Sequence, residues 1–367
     1  MIHLPADRLE PFVDRYLHDT LDGCLHQLQH PQHADVALRF DKPWEGDASF
    51  YHTALLDEQL RTYRLYYRGW PFKRGTREHD TEAVICLAES DDGVTWRRAT
   101  VGLHEVHGSR DNNVLLVGDD GTHAFAPFID RNPAAKPDAR YKALGLIKGG
   151  LRAYHSPDGV HWQRYRDEPV LTKGAFDSQN VPFWSELEGC YVGYYRTWSD
   201  ADDPTQFKGK RTISRVTSED FLNWSDPVQM DFGDTPIEEL YTNQTHPYYR
   251  APHIYIALPK RFNPGRRTLT DEQAQAMSLH ETQINGVSDT VLMSSRGGAV
   301  YDRTFMESFI RPGTDLGNWG ARSTAASCGI VPTSKTEMSV YVTRHYCQPT
   351  SYLERMTMRV DGFASVW

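Results

Sequence analysis

A short turn motif recurs along the chain at a nearly constant interval. The segments ESDDGVTW, HSPDGVHW and TSEDFLNW all fit S-x-D-x-x-x-W, with serines at Ser90, Ser156 and Ser218. The two steps between these serines are 66 and 62 residues. Weaker copies follow in SRGGAVY, from Ser295, and in RVDGF, at Asp361. Self-similarity at such a period predicts a repeat architecture, in which successive copies of one supersecondary unit pack against each other.

A tyrosine-rich motif follows the same period. YRLYYRGW (Tyr63–Trp70) and YVGYYRTW (Tyr191–Trp198) both fit Y-x-x-Y-Y-R-x-W and lie 128 residues apart, which equals two periods. The segments RYKALGLI, HIYIALPKRF and MSVYVTRHY occupy the corresponding places in the other units. The chain therefore contains five units, each with this segment ahead of its turn motif.

Each unit consists of short runs rich in Tyr, Val, Ile and Trp, separated by Asp-Gly or Pro turns. Such runs indicate β-strands, and four of them fit into one period. In unit one they are FYHTALL, TYRLYYRG, EAVICLAES and WRRATVGL. Four antiparallel strands repeated five times predict an all-β fold, namely a five-bladed β-propeller with four-stranded antiparallel blades.

The predicted boundaries follow from the same period. Residues 1–40 form an N-terminal segment that caps or closes the ring, and residues 41–367 form the propeller. The blades are predicted at about residues 41–105, 106–170, 171–232, 233–311 and 312–367. Two helices are predicted, one over Arg8–Asp19 and one over Thr270–Ser278, where T-D-E-Q resembles a capping box.

Composition excludes several classes of partner. The chain has 40 Lys and Arg against 49 Asp and Glu, a net charge of −9, whereas a nucleic-acid surface needs clustered positive charge. No apolar run approaches the roughly 18 residues of a membrane span. The opening MIHLPADRLEPF lacks a basic region followed by an apolar core, so no secretory signal is visible and we expect a cytoplasmic location. A periplasmic or secreted location is the alternative if a signal has been removed.

Candidate site residues are polar groups near the start of the innermost strand of each blade, because those strands line the axis of a propeller. Carboxylates recur there, and glycoside hydrolysis requires two carboxyl groups, one as acid and one as base or nucleophile. The predicted catalytic carboxylates are Glu45, Asp177 and Glu238. The predicted sugar-binding residues are Arg110, Asp111, Asn113, Asn180, Tyr241, Asn243, His246 and Arg322.

Each of these residues also has a structural alternative. A single Asp at a strand start is commonly a turn cap, and this alternative is strongest for Asp130. Asp47 and Glu239 each lie near a predicted carboxylate, Glu45 and Glu238 respectively, and strand alternation sends adjacent side chains such as Glu238 and Glu239 to opposite faces. Arg322 is alternatively an ion-pair partner, and His246 alternatively caps a loop.

The repeated tyrosine motif lies on the second strand, one layer out from the axis. We therefore expect its Tyr and Trp side chains to pack between blades. Arg68 and Arg196 occupy equivalent positions in the two copies. Each is predicted to reach back to an inner-strand carboxylate, Asp47 or Asp177 respectively, and to keep it ionised.

Several segments resemble known glycosidases. Five blades with acidic inner strands resemble the furanosidase-type glycoside hydrolases of families 32 and 43. The segments FVDRYL, KPWEG, RYKAL, FDSQNV, LYTNQTHPY and RVDGF resemble the family 32-like glycosidases of planctomycete-type bacteria, from about residue 12 to the end. The S-x-D-G-x-x-W turns are similar to the Asp-box of sialidases, which implies a scaffold role far from the chemistry.

The resemblance implies roles for particular blades. Blade one would supply a nucleophile or base at Glu45, where those families use Asp. Blade two would supply Asp111 to orient the sugar, in an R-D pair with Asn112 in place of the family's Pro. Blade three would supply Asp177, where those families use Glu. The W-M-N-D-P-N-G signature of fructosidases is absent, which argues against sucrose-type fructosides.

The leading hypothesis is an exo-acting glycoside hydrolase that removes a terminal sugar, a furanoside or an acidic sugar, from an oligosaccharide or glycoside. The alternative is a non-catalytic carbohydrate-binding propeller. A protein-interaction scaffold would instead expose apolar patches. A sialidase-like enzyme would need an arginine triad and a tyrosine nucleophile with a glutamate partner. Tyr241 and Glu238 are the candidates for the tyrosine and its partner, while the arginines are scattered in the sequence. No metal motif is present, so no cofactor is expected, while a structural cation at the axis stays open.

Overall fold

The structure is a computed structural model that describes residues 8–72, 78, 82–118, 120–201 and 206–367. Residues 1–7 of the predicted N-terminal segment lie outside the described residues. The fold is all-β, and its sheets are antiparallel. The described helices are α1 (Asp271–Ala276) and α2 (Glu281–Ile284), with 3₁₀ turns at Pro137–Ala139 and Leu316–Trp319. Neither α-helix is long and apolar enough to cross a membrane.

Helix α1 matches the prediction for the Thr270 region. The Thr270 side chain accepts from the Gln273 amide, and the Gln273 side chain returns the contact, which completes a capping box. The helix predicted over Arg8–Asp19 is wrong, because the described residues of that range form turns. There Arg296 pairs with Glu10 and Asp14 at 2.9 and 2.7 Å, so long-range ion pairs override the local helical pattern.

The first strands of the chain are β1 (His26–Leu28) and β2 (Gln32–Arg39). Sheet one contains β3 (Phe50–Asp57), β4 (Thr62–Gly69), β5 (Val84–Ser90), β6 (Arg97–Arg98) and β7 (Val114–Val117). Sheet two contains β8 (Gly121–Ile129), β9 (Tyr141–Ile147), β10 (Gly150–Ser156) and β11 (Gln163–Arg164). Sheet three contains β12 (Val181–Ser185), β13 (Cys190–Trp198), β14 (Arg211–Ser218) and β15 (Val228–Gln229).

Sheet four is interrupted along its strands and consists of two three-stranded ladders. The strands are β16 (Glu239–Leu240), β17 (His246–Tyr248), β18 (Ala251–Ala257), β19 (Lys260–Asn263), β20 (Val287–Thr290) and β21 (Met293–Ser295). In the first ladder β19 lies between β16 and β20, and in the second β18 lies between β17 and β21.

Sheet five combines both ends of the chain. Its strands are β22 (Ala325–Ala326), β23 (Val331–Pro332), β24 (Glu337–Arg344) and β25 (Tyr352–Arg359), with β2 as the outer strand. The last strand, β26 (Ala364–Val366), pairs with β1. The N-terminal segment thus contributes a strand to the final sheet. We call β3, β8, β12, β16–β17 and β22–β23 the first strands of sheets one to five. The strands paired with them, β4, β9, β13, β18–β19 and β24, are the second strands.

The first strands of successive sheets lie beside one another. Strand β3 contacts β8, β8 contacts β12, and β12 contacts β17. From sheet four, His246 Nε2 accepts from the Ile330 amide of sheet five at 3.2 Å. Sheet five returns to sheet one, where the Ala54 amide donates to Cys328 O at 2.8 Å. These contacts run from sheet one through sheets two to five and back to sheet one, and the region between the first strands is called the axis below.

The turn motifs are scaffold elements. In the second copy, the Asp158 carboxylate accepts from the Val160 and His161 amides at 2.8 Å, and Ser156 Oγ accepts from the Gly159 amide at 2.9 Å. Tyr66 of sheet one donates to Gly159 O at 3.0 Å. The motif tyrosine thus ties one sheet to the turn of the next, as inter-blade packing requires.

A buried ion pair joins sheets one and two at the far end of β3. The Asp57 carboxylate is inaccessible to solvent and accepts from Arg140 Nη1 at 2.7 Å and from the Tyr141 hydroxyl. Burial would raise the pKa of Asp57, but the hydrogen bonds from Arg140, Tyr141 and the Leu60 amide lower it to about 2. The unfolded value is about 3.9, so the carboxylate stabilises the fold above that pH, and the contribution is lost as the pH falls through the folded value.

We expect Asp57→Asn to lower the free energy of unfolding by about 1–3 kcal/mol near neutral pH, because Arg140 loses its charged partner. Urea unfolding should show the difference from wild type shrinking as the pH is lowered from about 4 toward about 2. Asp91→Asn, in an exposed pair with Arg97, is the matched control and should change stability very little. A difference that grows in acid would contradict the assignment.

Candidate functional site

Polar side chains converge at the end of the axis where the first strands start. Antiparallel pairing places the end of each second strand beside the start of its first strand, so both contribute to this end. The group defined here as the tyrosine–arginine cluster consists of Tyr51, Tyr241, Arg68, Arg196 and Arg322. Its five members come from sheets one, three, four and five.

Tyr51 lies at the centre of the cluster. Its φ of 55° places it in the left-handed region, next to an irregularity in the pairing of β3 with β4. A bulky residue there is strained, and such strain is concentrated at functional sites. The Tyr51 hydroxyl donates to Asp177 O at 2.9 Å and lies 3.1 Å from the Tyr241 hydroxyl.

The arginines lie against these aromatic rings. The Arg68 guanidinium is 4.7 Å from the ring centre of Tyr51 and 4.6 Å from that of Trp70. Arg196 lies 5.1 Å from the Tyr241 ring and pairs with the Asp177 carboxylate. The contact between Arg196 and Asp177 is the one that strand register predicts. Arg68 does not repeat it, because it donates to Ala48 O and to the Tyr346 hydroxyl at 3.2 and 3.3 Å.

Lys260 lies beside these arginines, although the sequence-based prediction did not include it. Its Nζ donates to Arg322 O at 2.9 Å and lies 5.3 and 5.2 Å from the rings of Phe50 and Tyr241. Burial, and then the charge of Arg322, hold the pKa of Lys260 well below its usual value. Its position in the repeat could have identified it, because Lys260 follows Tyr255 by five residues, as Arg68 follows Tyr63.

The charges around Tyr241 change its acidity. Burial would raise the pKa of this phenol, but the charges of Arg196 and Arg322, together with the hydrogen bond from Tyr51, lower it below its ordinary value of 10.0. In the neighbouring Tyr51 burial dominates, and it raises the pKa of that phenol well above 10.0. Within the pair, Tyr241 is the group that ionises first, with Tyr51 as hydrogen-bond donor.

Glutamines close the axis just beyond the cluster. Gln179 Nε2 donates across the axis to Thr53 Oγ1 at 2.9 Å and to His52 O at 3.1 Å. Gln244 Nε2 donates in turn to Gln179 Oε1 at 2.7 Å. These buried contacts join the first-strand regions of sheets one, three and four. We call the region bounded by the cluster and these glutamines the pocket.

One predicted carboxylate lies at the edge of this pocket. The Asp177 side chain is 59% exposed although its partner Arg196 is buried, so the carboxylate faces solvent at the pocket mouth. Asp47 lies four residues before Tyr51, on the segment that leads into β3. Its carboxylate accepts from the Phe72 amide at 3.0 Å, and its carbonyl accepts from the Cys347 amide at 2.8 Å.

Glu45 does not reach the pocket, contrary to the prediction. It is fully buried in a turn ahead of β3, where Arg98 donates to both carboxylate oxygens at 2.7 and 2.8 Å. The Tyr67 hydroxyl also donates to it at 2.6 Å. Asn113 belongs to the same buried network through its bond to Tyr67 at 2.9 Å. The prediction for Glu45 assumed the alternation of a strand, but β3 starts only at Phe50, so alternation does not apply to Glu45.

Three more predicted residues lie away from the cluster. The Glu238 carboxylate is held by Arg261, at 2.7 Å, and by Arg303, on the outer side of sheet four. Arg110 and Asp111 lie exposed between β6 and β7, where Arg110 donates to backbone carbonyls at 3.1 and 3.2 Å. The R-D pair of the family resemblance is therefore not part of this pocket.

The remaining predicted polar residues support the backbone. Asn180 donates to Phe176 O and Ser178 O, which fixes the loop that carries Asp177. Asn243 donates to Tyr194 O at 3.1 Å. His246 lies further along the axis, and burial lowers its pKa to about 4. Among the predicted residues the pocket thus contains Asp177, Tyr241 and Arg322, supported by Arg68 and Arg196.

The opposite end of the axis is chemically different. A cavity there is lined mainly by apolar and aromatic residues from the ends of the first strands, including Leu56, Phe128, Trp184 and Pro332. Charged residues contribute to its lining only at Glu58, Arg131 and Glu186. Within the described part of the chain, no group of His, Cys, Asp or Glu is arranged to hold a metal ion. The tyrosine–arginine cluster is therefore the candidate site.

Comparison with known proteins gives a fold. No protein-family model and no curated protein matches the sequence. A glycoside hydrolase of known structure is similar with a TM-score of 0.57 and 12% identity, over 90% of this chain and 92% of its own. An N-acetylgalactosamine deacetylase from F. plautii, solved with blood group B trisaccharide, has a TM-score of 0.54 and 12% identity, over 92% and 96%.

A third similar structure is the β-1,2-mannobiose phosphorylase of Listeria innocua, with a TM-score of 0.53 and 10% identity, over 93% of this chain and 98% of its own. The chain therefore has the fold of propeller-type carbohydrate-active enzymes. The names of these three proteins describe three different reactions, so the activity has to be argued from the site.

The lowered pKa of Tyr241 predicts one phenol that ionises before the others. Spectrophotometric titration of wild type should show a phenolate step below pH 10, and Tyr241→Phe should lack it. Tyr51→Phe is the matched control, since it should keep the step but move it to higher pH by removing a hydrogen-bond donor. If Tyr241→Phe titrates like wild type, another tyrosine is responsible and the electrostatic description of the cluster fails.

Proposed function

We propose that this protein is an exo-acting glycoside hydrolase that removes a terminal sugar in the pocket at the tyrosine–arginine cluster. The observation that carries the proposal is the Asp177 carboxylate, which is solvent-exposed and paired with buried Arg196, on a residue whose backbone carbonyl accepts from the Tyr51 and Tyr241 hydroxyls. Likeness to a glycoside hydrolase in fold supports this reading.

The proposal includes the architecture. Sheets one to five are taken as the five blades of a propeller, with their first strands innermost and β2 closing the last blade. The contacts between first strands and the return from Cys328 to Ala54 support this arrangement. A ring of this kind presents its substrate site at one end of the axis, where the cluster lies.

Asp177 and Asp47 are the proposed carboxyl pair. Asp177, which pairs with Arg196, is the proposed base or nucleophile. Asp47 is the proposed acid and takes the place in blade one that the prediction gave to Glu45. Hydrolysis then follows the two-carboxyl scheme of glycosidases, in which the acid protonates the departing oxygen.

The pocket floor supports the exo mode. Because Gln179, Gln244 and Thr53 close the axis by hydrogen bonds, a chain cannot pass through and only a terminal unit can enter. The ring of Trp70 and the phenols of Tyr51 and Tyr241 suit sugar faces and hydroxyls. The proposed substrate is therefore an oligosaccharide or glycoside with a terminal furanoside or acidic sugar.

Tyr241 is a second candidate for the nucleophile. Its lowered pKa and its position between Arg196 and Lys260 favour a phenolate oxygen facing the pocket. Arg68, Arg196 and Arg322, which are scattered in the sequence, surround it as the sialidase-like hypothesis requires. Glu238 is engaged by Arg261 and does not complete that arrangement.

The test is a screen on aryl glycosides and plant or algal oligosaccharides, followed by variants on any cleaved substrate. Asp177→Asn should lower kcat by about 10²- to 10⁴-fold, because a positioned proton-transfer or nucleophilic group is lost. Glu238→Gln, outside the pocket, is the matched control and should keep kcat within about twofold of wild type if its ion pairs are structural.

Full activity of both Asp177→Asn and Asp47→Asn would exclude the carboxyl pair. Tyr241→Phe in the same assay separates the two nucleophiles, since only a tyrosine nucleophile makes that variant inactive while Asp177→Asn stays active. Sugar binding by wild type without cleavage of any substrate would favour the non-catalytic carbohydrate-binding propeller.

A further inference from the structure

Most cations of the cluster have no carboxylate partner. Within the described residues the Arg322 guanidinium makes no ion pair and no hydrogen bond, and it is only partly exposed. Arg68 is 2% exposed and donates only to carbonyl, hydroxyl and imidazole groups. Lys260 donates to a carbonyl. The pairing of Arg196 with Asp177 is the exception.

Buried guanidinium atoms are also left without hydrogen bonds. The Nε atoms of Arg68 and Arg196 are buried and have no partner. An unpaired charge in a poorly solvated site is costly, and an unsatisfied donor adds to that cost. A site that keeps several such groups close together is stabilised most by a ligand that supplies negative charge and acceptor atoms.

We infer that the tyrosine–arginine cluster binds an oxyanion, with Arg322 as its main contact and the Tyr346 hydroxyl as a neutral donor. A guanidinium presents its N–H groups in a fork that matches a carboxylate or a phosphate. Arg322 is the cation of the cluster whose fork is not used by the protein. The anion thus lies between sheets five and one, beside Asp47 and Tyr51.

Two sources provide this chemistry. One is a carboxylate on the terminal sugar, which makes the substrate a uronic or keto-acid glycoside. The other is free inorganic phosphate as acceptor of the sugar. In that case a phosphate oxygen bonds to the anomeric carbon as the glycosidic C–O bond breaks, and the departing oxygen takes the proton of the acid carboxyl. The inference rests on the proposed function for the role of the anion as part of the substrate or as acceptor of the sugar. Binding of the anion can be measured without turnover.

Tyr241 supplies an internal reporter of the anion. Its phenolate is favoured by the same arginines, so a bound oxyanion competes for their charge. Anion binding should therefore move the Tyr241 titration step to higher pH, whereas a neutral sugar should leave it in place. This effect requires the anion to lie within the cluster and not on an outer surface.

Calorimetric titration of the full chain with glucuronate, inorganic phosphate and glucose tests the inference. Wild type should bind at least one of the two anions and should prefer it to glucose by at least about tenfold, as expected for a charge-assisted contact. Arg322→Gln should weaken that binding by about tenfold or more. Arg359→Gln, an exposed arginine at the far end of sheet five, is the matched control and should bind as wild type does.

Arg322→Lys keeps the inference testable if Arg322→Gln does not fold. It retains the charge without the fork, so its affinity should fall between those of wild type and Arg322→Gln. Equal binding of glucose and both anions by wild type, or unchanged anion binding in Arg322→Gln, would overturn the oxyanion site.

The sources of the anion differ in turnover. If the anion is a substrate carboxylate, added phosphate inhibits cleavage competitively, and if it is free phosphate, cleavage requires it and releases a sugar phosphate. The two proposals also fail separately. Anion binding without cleavage of any glycoside would contradict the proposed hydrolase alone, and cleavage of neutral glycosides without anion binding would contradict the oxyanion site alone.

Discussion

The antiparallel pairing of first and second strands determines what lies at the mouth of the axis. In sheets one and three a cation lies near the end of the second strand, at Arg68 and Arg196, and in sheet four Lys260 begins β19, opposite Tyr241. Antiparallel pairing places these three basic residues near the starts of the first strands. Aromatic rings between these cations take the place of water and shield them from one another. The acidity of Tyr241, the strain at Tyr51 and the charge of the pocket all depend on this arrangement.

The repeat made the fold predictable. The spacing of the S-x-D-x-x-x-W turns and of the tyrosine motif is set by the number of residues in four short strands, so it survives in the sequence independently of distant contacts. The same spacing located the strands of sheet one and the second-strand arginines. The helix expected near Arg8 failed because ion pairs between Arg296 and the segment around Asp14 come from a part of the chain that no local pattern reveals.

The site was less predictable, for two physical reasons. Alternation along a strand applies only where the strand is regular, and Glu45 lies in a turn ahead of β3 while Tyr51 breaks the pairing of that strand. The sequence also does not distinguish a catalytic carboxylate from one held in a structural ion pair. Glu45 pairs with Arg98 and Glu238 pairs with Arg261, and both pairings depend on tertiary packing. The pairing of Asp177 was predictable because its partner Arg196 occupies a position that recurs in the repeated tyrosine motif.

Comparison among the sheets shows that the fold does not need the unpaired cations. At the position of Arg68 and Arg196, sheet two has Leu146, which packs against the apolar neighbours of Tyr51. Sheet five has Arg344 there, five residues after Ser339, and this arginine is fully buried with Glu354 at 2.7 Å. An apolar residue or a fully paired arginine therefore satisfies this position structurally. Arg68 is neither, and retaining its charge without a carboxylate is explained by a ligand that brings the negative charge with it.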